Sequence, residues 1–155
     1  MPRLQYQFTV KCSVTAPVEI GRRDDNFVGM RRLIPVPDGV TEGEGFEGVL
    51  LPGAVDSQVI HPDGKADISA RYGVRFNDGT SIYIQNDGVR TVPDEDVAAV
   101  LGGGYVDPSH YYFVTSPKIE AYDKSREWMS KKLWISVGTR RPFDVMLEYY
   151  TVELD

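Results

Sequence analysis

Apolar and polar side chains alternate over residues 4–14. Leu4, Tyr6, Phe8, Val10, Cys12 and Val14 fall on one face, and Gln5, Gln7, Thr9, Lys11 and Ser13 on the other. A period of two predicts a half-buried strand, one face to a core and one to water. Pro17 and Gly21 punctuate its end, and Arg22 to Asn26 read as a polar loop. Arg31 to Val36 predict a short strand stopped by the turn tripeptide Pro37-Asp38-Gly39. The irregular stretch from Gly21 to Gly45 is a candidate lid or rim.

A meander follows. Val49 to His61 is β-rich with a break at Pro52-Gly53, and His61-Pro62-Asp63-Gly64 is a turn. Asp67 to Phe76 forms the next strand, and Asn77-Asp78-Gly79 is a hairpin signal. Ser81 to Asn86 pairs back, closed by a turn at Asp87-Gly88. Thr91 or Asp94 can cap a short helix ending at Gly102, where a triple glycine leaves a mobile loop. Tyr111 to Ser116 is a strand. Asp123 to Lys131 predict one or two helical turns, with Trp128 and Met129 on the buried side. Leu133 to Val137 and Phe143 to Val152 form a closing hairpin around Gly138 to Pro142. The pattern totals about eight to ten strands without repeat or linker. It predicts one domain over residues 1–155: an all-β, single antiparallel β-barrel of lipocalin-like size with one or two short helices. Closure removes sheet edges, and both termini read as strands able to pair. Barrels of this size often enclose one small-ligand cavity.

Composition narrows the function classes. A chain of 155 residues with 41% hydrophobic and 26% charged residues can bury a core without disulfide staples. Its net charge of -6 disfavours nucleic acid and anionic membranes as partners. No apolar run approaches a bilayer span, and the opening MPRLQYQFTV lacks a leader pattern. A cytoplasmic location is therefore the expectation. Cys12 is the one cysteine and sits on the apolar face, which reads as inert core. His61 and His110 show no HxH or HExxH spacing, so no metal is expected. Gly43 to Gly48 matches G-x-G-x-x-G literally, but a β-rich run follows where a dinucleotide site needs a helix. No cofactor is implied.

Several short motifs occur in a characteristic order: Gly29-Met30-Arg31, Gly45-Phe46-Glu47-Gly48, Leu51 to Gln58 (LPGAVDSQ), Asp63-Gly64, Asp67 to Tyr72 (DISARY), Asn77 to Ile84 (NDGTSIYI) and Asn86 to Arg90 (NDGVR). Tyr112-Phe113, Pro117 and Trp128 follow as later landmarks. In this order and spacing the chain resembles the bacterial and fungal family DUF3237, also labelled UPF0311. The resemblance implies a β-barrel of lipocalin-like size and brings no settled chemistry. Where the family pattern tends to carry an aromatic residue before the glutamine, this chain has Ser57.

The candidate chemistry is a polar cluster. Asp56 and Gln58 share one strand face, as do Asp67, Ser69 and Arg71 on the next. Cross-strand pairing can gather Asp56, Gln58 and Arg71 in a barrel mouth; the alternative is a polar face in water or a structural Asp–Arg pair. Asn86 and Arg90 flank the Asp87-Gly88 turn and can line a pocket rim, where a guanidinium grips a carboxylate; the alternative is turn fixation by Asn86. Tyr72, Tyr83, Tyr112 and Trp128 wall an aromatic cavity or are plain core. These residues point first to a cofactor-free enzyme acting on an oxygenated aromatic or polyketide-like metabolite. Isomerisation, cyclisation or elimination by proton transfer is the expected class. Asp56 and Arg71 would be catalytic, Asp56 as acid or base. Gln58, Tyr72, Asn86, Arg90, Tyr112 and Trp128 would contact substrate, Gln58 and Asn86 helping Arg71 to stabilise an enolate. A non-catalytic small-ligand carrier and a homo-oligomeric scaffold stay open as alternatives.

Overall fold

The computed structural model describes residues 1–23, 29–102, 104–141 and 144–155. The expected polar loop at Asp24 to Asn26, Gly103 of the glycine run, and Phe143 of the last strand lie outside the described residues.

Eleven strands occur among the described residues: β1 (Arg3–Ser13), β2 (Val18–Arg23), β3 (Gly29–Pro35), β4 (Gly39–Glu42), β5 (Gly48–Leu50), β6 (Val55–Ile60), β7 (Ala66–Phe76), β8 (Ser81–Thr91), β9 (Tyr112–Ala121), β10 (Trp134–Arg140) and β11 (Asp144–Glu153). The first six combine into three long staves, each interrupted where proline or glycine breaks the ladder. β1 bends into β2 before Pro17, β3 into β4 across Pro37, and β5 into β6 at Pro52-Gly53. These three staves and β7 to β11 form a closed antiparallel barrel of eight staves in chain order. β1 pairs with β4 on one side and β11 on the other, which closes the ring. One short helix, α1 (Val97–Leu101), and three 3-10 segments are the other elements among the described residues. Neither Pro93 nor Asp96, the residues before the 3-10 turn and before α1, makes a side-chain cap, so the expected Thr91 or Asp94 cap is not used.

An up-and-down order puts alternate connections at opposite ends. The turns at 43–47 and 77–80 and the 3-10 segment Lys124–Lys131 share one end. Arg126 closes it. Its Nε donates to Thr80 Oγ1 at 3.0 Å, and its Nη2 donates to Gly45 O at 2.7 Å and Asp78 Oδ2 at 3.1 Å. The guanidinium carbon lies 4.0 Å from the Phe76 ring centroid and 5.2 Å from that of Phe46. Aromatic side chains fill the half above it. Phe8 stacks on Tyr149 at 4.6 Å and on Phe46 at 5.1 Å, and Trp134 meets its edge at 5.9 Å. Trp134 is 1% exposed, and its Nε1 donates to Met129 O at 2.8 Å.

Two expectations are corrected. The β1 face does not run unbroken from Leu4. The ladder to β11 shifts between Tyr6 and Phe8, so Phe8 opposes buried Tyr149 while Tyr6 opposes Tyr150 outside. Leu4 and Tyr6 are therefore exposed. Asp87-Gly88 is not a turn either, because β8 runs through it to Thr91. A Cβ at Gly88 would lie 2.4 Å from Val114 O and 2.5 Å from Thr115 Cα. The glycine serves the close approach of β9.

Candidate functional site

Strand parity decides which polar groups enter the barrel. In β6 the inward positions are Asp56, Gln58 and Ile60, in line with buried Ala54 just before the strand. Asp56 faces Ala70 across β6–β7, and Gln58 faces Ile68. The inward residues of β7 are thus Ile68, Ala70 and Tyr72, and Arg71 opposes outward-facing Val55 and is exposed. The expected Asp56–Arg71 partnership does not form, since the register puts the two on opposite sides of the sheet. Tyr112 also points out, at 56% exposure, because Phe113 and Thr115 hold the inner positions of β9. Trp128 packs against Phe46 and Trp134 at the closed end, away from the cavity. Tyr83, opposite Gly73 in β8, is likewise no part of the cavity wall.

The other half of the barrel holds a cavity of about 70 Å³. Asp56, Gln58, Tyr72, Asn86 and Arg90 all line it, as does Arg140. Its remaining wall is mainly apolar, including Ile34, Val36, Leu50, Ile68 and Phe113. Exposed Thr15 and Pro17 border it at the β1–β2 bend, which marks the mouth. The Tyr72 and Tyr149 hydroxyls touch at the floor, and burial holds the Tyr149 phenol well above its usual range.

Three side chains form a directed chain of hydrogen bonds. Arg32 Nε donates to Gln58 Oε1 at 2.9 Å, and Gln58 Nε2 donates to Asp56 Oδ2 at 2.6 Å. A guanidinium only donates, so Arg32 fixes the Gln58 amide with its NH2 toward the carboxylate. Asp56 Oδ1 is sealed from solvent and has no partner. Burial pushes the Asp56 carboxyl up; the Gln58 hydrogen bond, the Ser69 backbone N–H, Arg90 and Arg32 pull less strongly the other way. Asn86 is 1% exposed and its Oδ1 is also unpartnered. Arg90 is 7% exposed, with Nε bonded to nothing. Burial, then Arg32 and Arg140, push its guanidinium down to about 10, so it stays cationic at neutral pH. The segment after β8 covers these arginines: Val100 of α1, Val106 and Tyr111 line a narrow cleft against Arg32, Arg90 and Arg140. Tyr111 Oη accepts the Arg140 backbone N–H at 2.6 Å.

Arg32 and Arg140 are the site residues that sequence reasoning missed. Parity within the predicted strand Arg31 to Val36 puts Arg32 on the face of Ile34 and Val36, so its signal was present. Arg140 fell in an expected turn, but β10 extends through it and keeps it on the face of Trp134 and Ser136. Cys12 does border the cavity, yet burial pushes its thiol up to about 12. His61 lies on the β6–β7 turn, where Nε2 is 2.7 Å from Asp67 Oδ2. Among the described residues, no group of three or more His, Cys, Asp or Glu side chains is placed to hold a metal ion, and no helix is long and apolar enough to cross a membrane.

Fold and site together define a closed up-and-down β-barrel, plugged at one end, with a small polar-headed cavity in the other half. The chain belongs to the DUF3237 family, described as a protein of unknown function, whose model matches residues 2–152. A UPF0311 protein of Clostridium acetobutylicum is 44% identical over 145 residues, covering 94% of this chain and 90% of the relative. A crystal structure from that organism matches with a TM-score of 0.93 at 42% identity, over 99% of this chain and 98% of the other. A Rhodopseudomonas palustris structure matches at 0.88 with 29% identity, over 99% and 98%. An enzyme from Penicillium herquei shares the fold at a TM-score of 0.71 and 15% identity, over 98% and 95%.

Proposed function

We propose that this barrel is a cofactor-independent enzyme that moves a proton on an oxygenated small metabolite, in the class of isomerisations, cyclisations and eliminations. The observation that carries the reading is Asp56. It is a carboxylate on the cavity wall, held through one oxygen by Gln58, with the other oxygen unpartnered and burial raising its proton affinity. A carboxylate whose proton affinity is raised accepts a proton more strongly and is a better general base. In the simplest step Asp56 takes a proton from carbon next to a substrate carbonyl. The C–H electron pair moves into the new C=C bond, and the carbonyl pair moves onto oxygen. Arg90 donates N–H to that enolate oxygen, the role expected of Arg71, with Asn86 beside it. Where the substrate carries a C=C bond β,γ to the carbonyl, this enolate is a dienolate: the oxygen pair re-forms C=O, the new C=C pair shifts, and Asp56 returns the proton to the γ carbon, completing an isomerisation with no net loss of atoms.

The cavity size limits what is enclosed. A cavity of 150 Å³ in another protein accepts benzene, so about 70 Å³ takes a reacting head while a larger aromatic or polyketide-like body would sit in the mouth. The distant fungal enzyme is in keeping with catalysis on this fold, though a shared fold does not fix a reaction. The buried single cysteine suits a reducing, cytoplasmic setting.

The test is solvent-deuterium exchange into aryl ketones, followed by NMR for wild type and Asp56→Asn. Wild type should accelerate exchange, and the variant should lose about 100-fold or more while keeping binding. Equal exchange by both would remove Asp56 as the base. Binding without exchange by either would leave the carrier reading.

A further inference from the structure

The proton-transfer step uses one guanidinium, but the site holds three. Arg32 is 4% exposed, Arg90 is 7% exposed, and Arg140 is partly buried. Arg90 and Arg140 line the main cavity, and all three line the cleft of about 10 Å³ beside it. Among the described residues none of the three makes an ion pair. Among the described residues Asp56 is the one carboxylate in the cavity wall, and it stays outside ion-pair distance of each. Glu19 stands opposite Arg32 on exposed β2 and does not pair with it either. Among the described residues, of their side-chain nitrogens only Arg32 Nε has an acceptor, Gln58 Oε1.

Guanidinium groups out of water without counter-charges repel one another and pay desolvation. Arg32 and Arg90 are both pushed down, first by burial and then by neighbouring arginines, while Asp56, and for Arg32 also Glu19, pull less strongly the other way. With Asp56 ionised, the four charged groups sum to two positive charges in a chain whose net charge is -6. The concentration of positive charge is therefore local and faces the cavity.

We infer that the substrate is a keto acid: a carbonyl compound whose carboxylate is held by Arg140 and Arg32 while its carbonyl end meets Arg90 and Asp56. This deepens, and rests on, the proton-transfer reading. Guanidinium binds carboxylate through paired, nearly coplanar hydrogen bonds. The cleft between the arginines has room for about one water-sized group, which suits an oxygen of a flat carboxylate better than a tetrahedral phosphate. The apolar wall beyond, with Ile34, Val36 and Phe113, suits a hydrocarbon body attached to that single anionic head.

The probes are 4-oxo-4-phenylbutanoate, its methyl ester, and inorganic phosphate, titrated calorimetrically at constant ionic strength. The proteins are wild type, Arg140→Gln and Arg140→Lys. The acid should bind wild type at least about tenfold more tightly than the ester, a difference of about 1.4 kcal/mol. Arg140→Gln should bring acid and ester within about threefold of each other without weakening the ester, and Arg140→Lys should restore part of the preference. The inference falls if acid does not bind, if ester binds as tightly, if Arg140→Gln leaves the ratio unchanged, or if phosphate displaces the acid at equal concentration. Exchange at the ketone CH2 separates the two ideas. An ester that exchanges as fast as the acid leaves proton transfer standing and removes the keto acid. An acid that binds with the stated preference but does not exchange does the reverse.

Discussion

Replacing Arg126 with Met should lower stability strongly while leaving the cavity intact. Arg126 is 8% exposed and occupies the closed end. Met keeps much of the side-chain volume and loses the charge and the donors. Two hydrogen bonds from a charged group, to Gly45 O and Thr80 Oγ1, are worth about 1.5 kcal/mol each at the lower bound. A desolvated cation 4.0 Å from the Phe76 centroid adds about 1–2 kcal/mol. The contact to exposed Asp78 is left out, because solvent screens it. Removing the guanidinium also removes its own desolvation penalty, and water can reach the carbonyl of exposed Gly45. The net loss should be about 3 kcal/mol. For a chain of this size that lowers Tm by about 6–12 °C in a calorimetric melt. Arg126→Lys should fall between, since one ammonium cannot span the same acceptors. A Tm within about 2 °C of wild type for Arg126→Met would refute the view that this residue holds the closed end together.

Three further outcomes follow from the same geometry. Gly88→Ala should cost about 3 kcal/mol or more in denaturant melts, because its Cβ meets β9 backbone that cannot move aside without opening the β8–β9 ladder. A raised Asp56 carboxyl means that the protonated form is the better tolerated in the fold. Its stabilising effect is full below the ordinary carboxylate range and is lost as pH rises through the raised value. Asp56→Asn should therefore melt above wild type near about pH 8 and lose that advantage near about pH 4; parallel Tm–pH curves would contradict it. With its thiol pushed up to about 12, Cys12 is thiolate in about one molecule in ten thousand at about pH 8. Iodoacetamide should leave it unmodified in the native protein and alkylate it in urea, as read by mass spectrometry.

Much of the architecture is legible in the sequence because turns and periodicity are local. Asn77-Asp78-Gly79 and the alternation from Asp67 to Phe76 place the β7–β8 hairpin without any tertiary knowledge. The pairing of Asp56 with Gln58 follows from spacing alone, and the structure joins them at 2.6 Å. Identifying their guanidinium partner needs register, which a single strand does not contain. Arg71 is near in sequence space and lies behind the sheet, whereas Arg32 reaches Gln58 from a strand 26 residues away. Gly88 misleads for a different reason. Glycine after aspartate signals a turn when the chain reverses, and signals close packing when a neighbouring backbone presses on it. Only the position of β9 distinguishes the two cases. The shift at Tyr6 and Phe8 likewise depends on β11, and it turns an unbroken alternation into two faces.

The seam between β1 and β11 has a consequence for how the protein is made. Arg3 pairs with Glu153 and Ser13 with Asp144, so the first strand finds this partner only in the last. During synthesis β1 can lean on β4 over Thr9 to Cys12, but Phe8 lacks its stack on Tyr149 until the C-terminal strand has left the ribosome. Such distant pairing slows folding relative to local contacts. A chain cut short before β11 would leave the β1 edge unpaired, so products truncated there should be more aggregation-prone than a chain that carries β11.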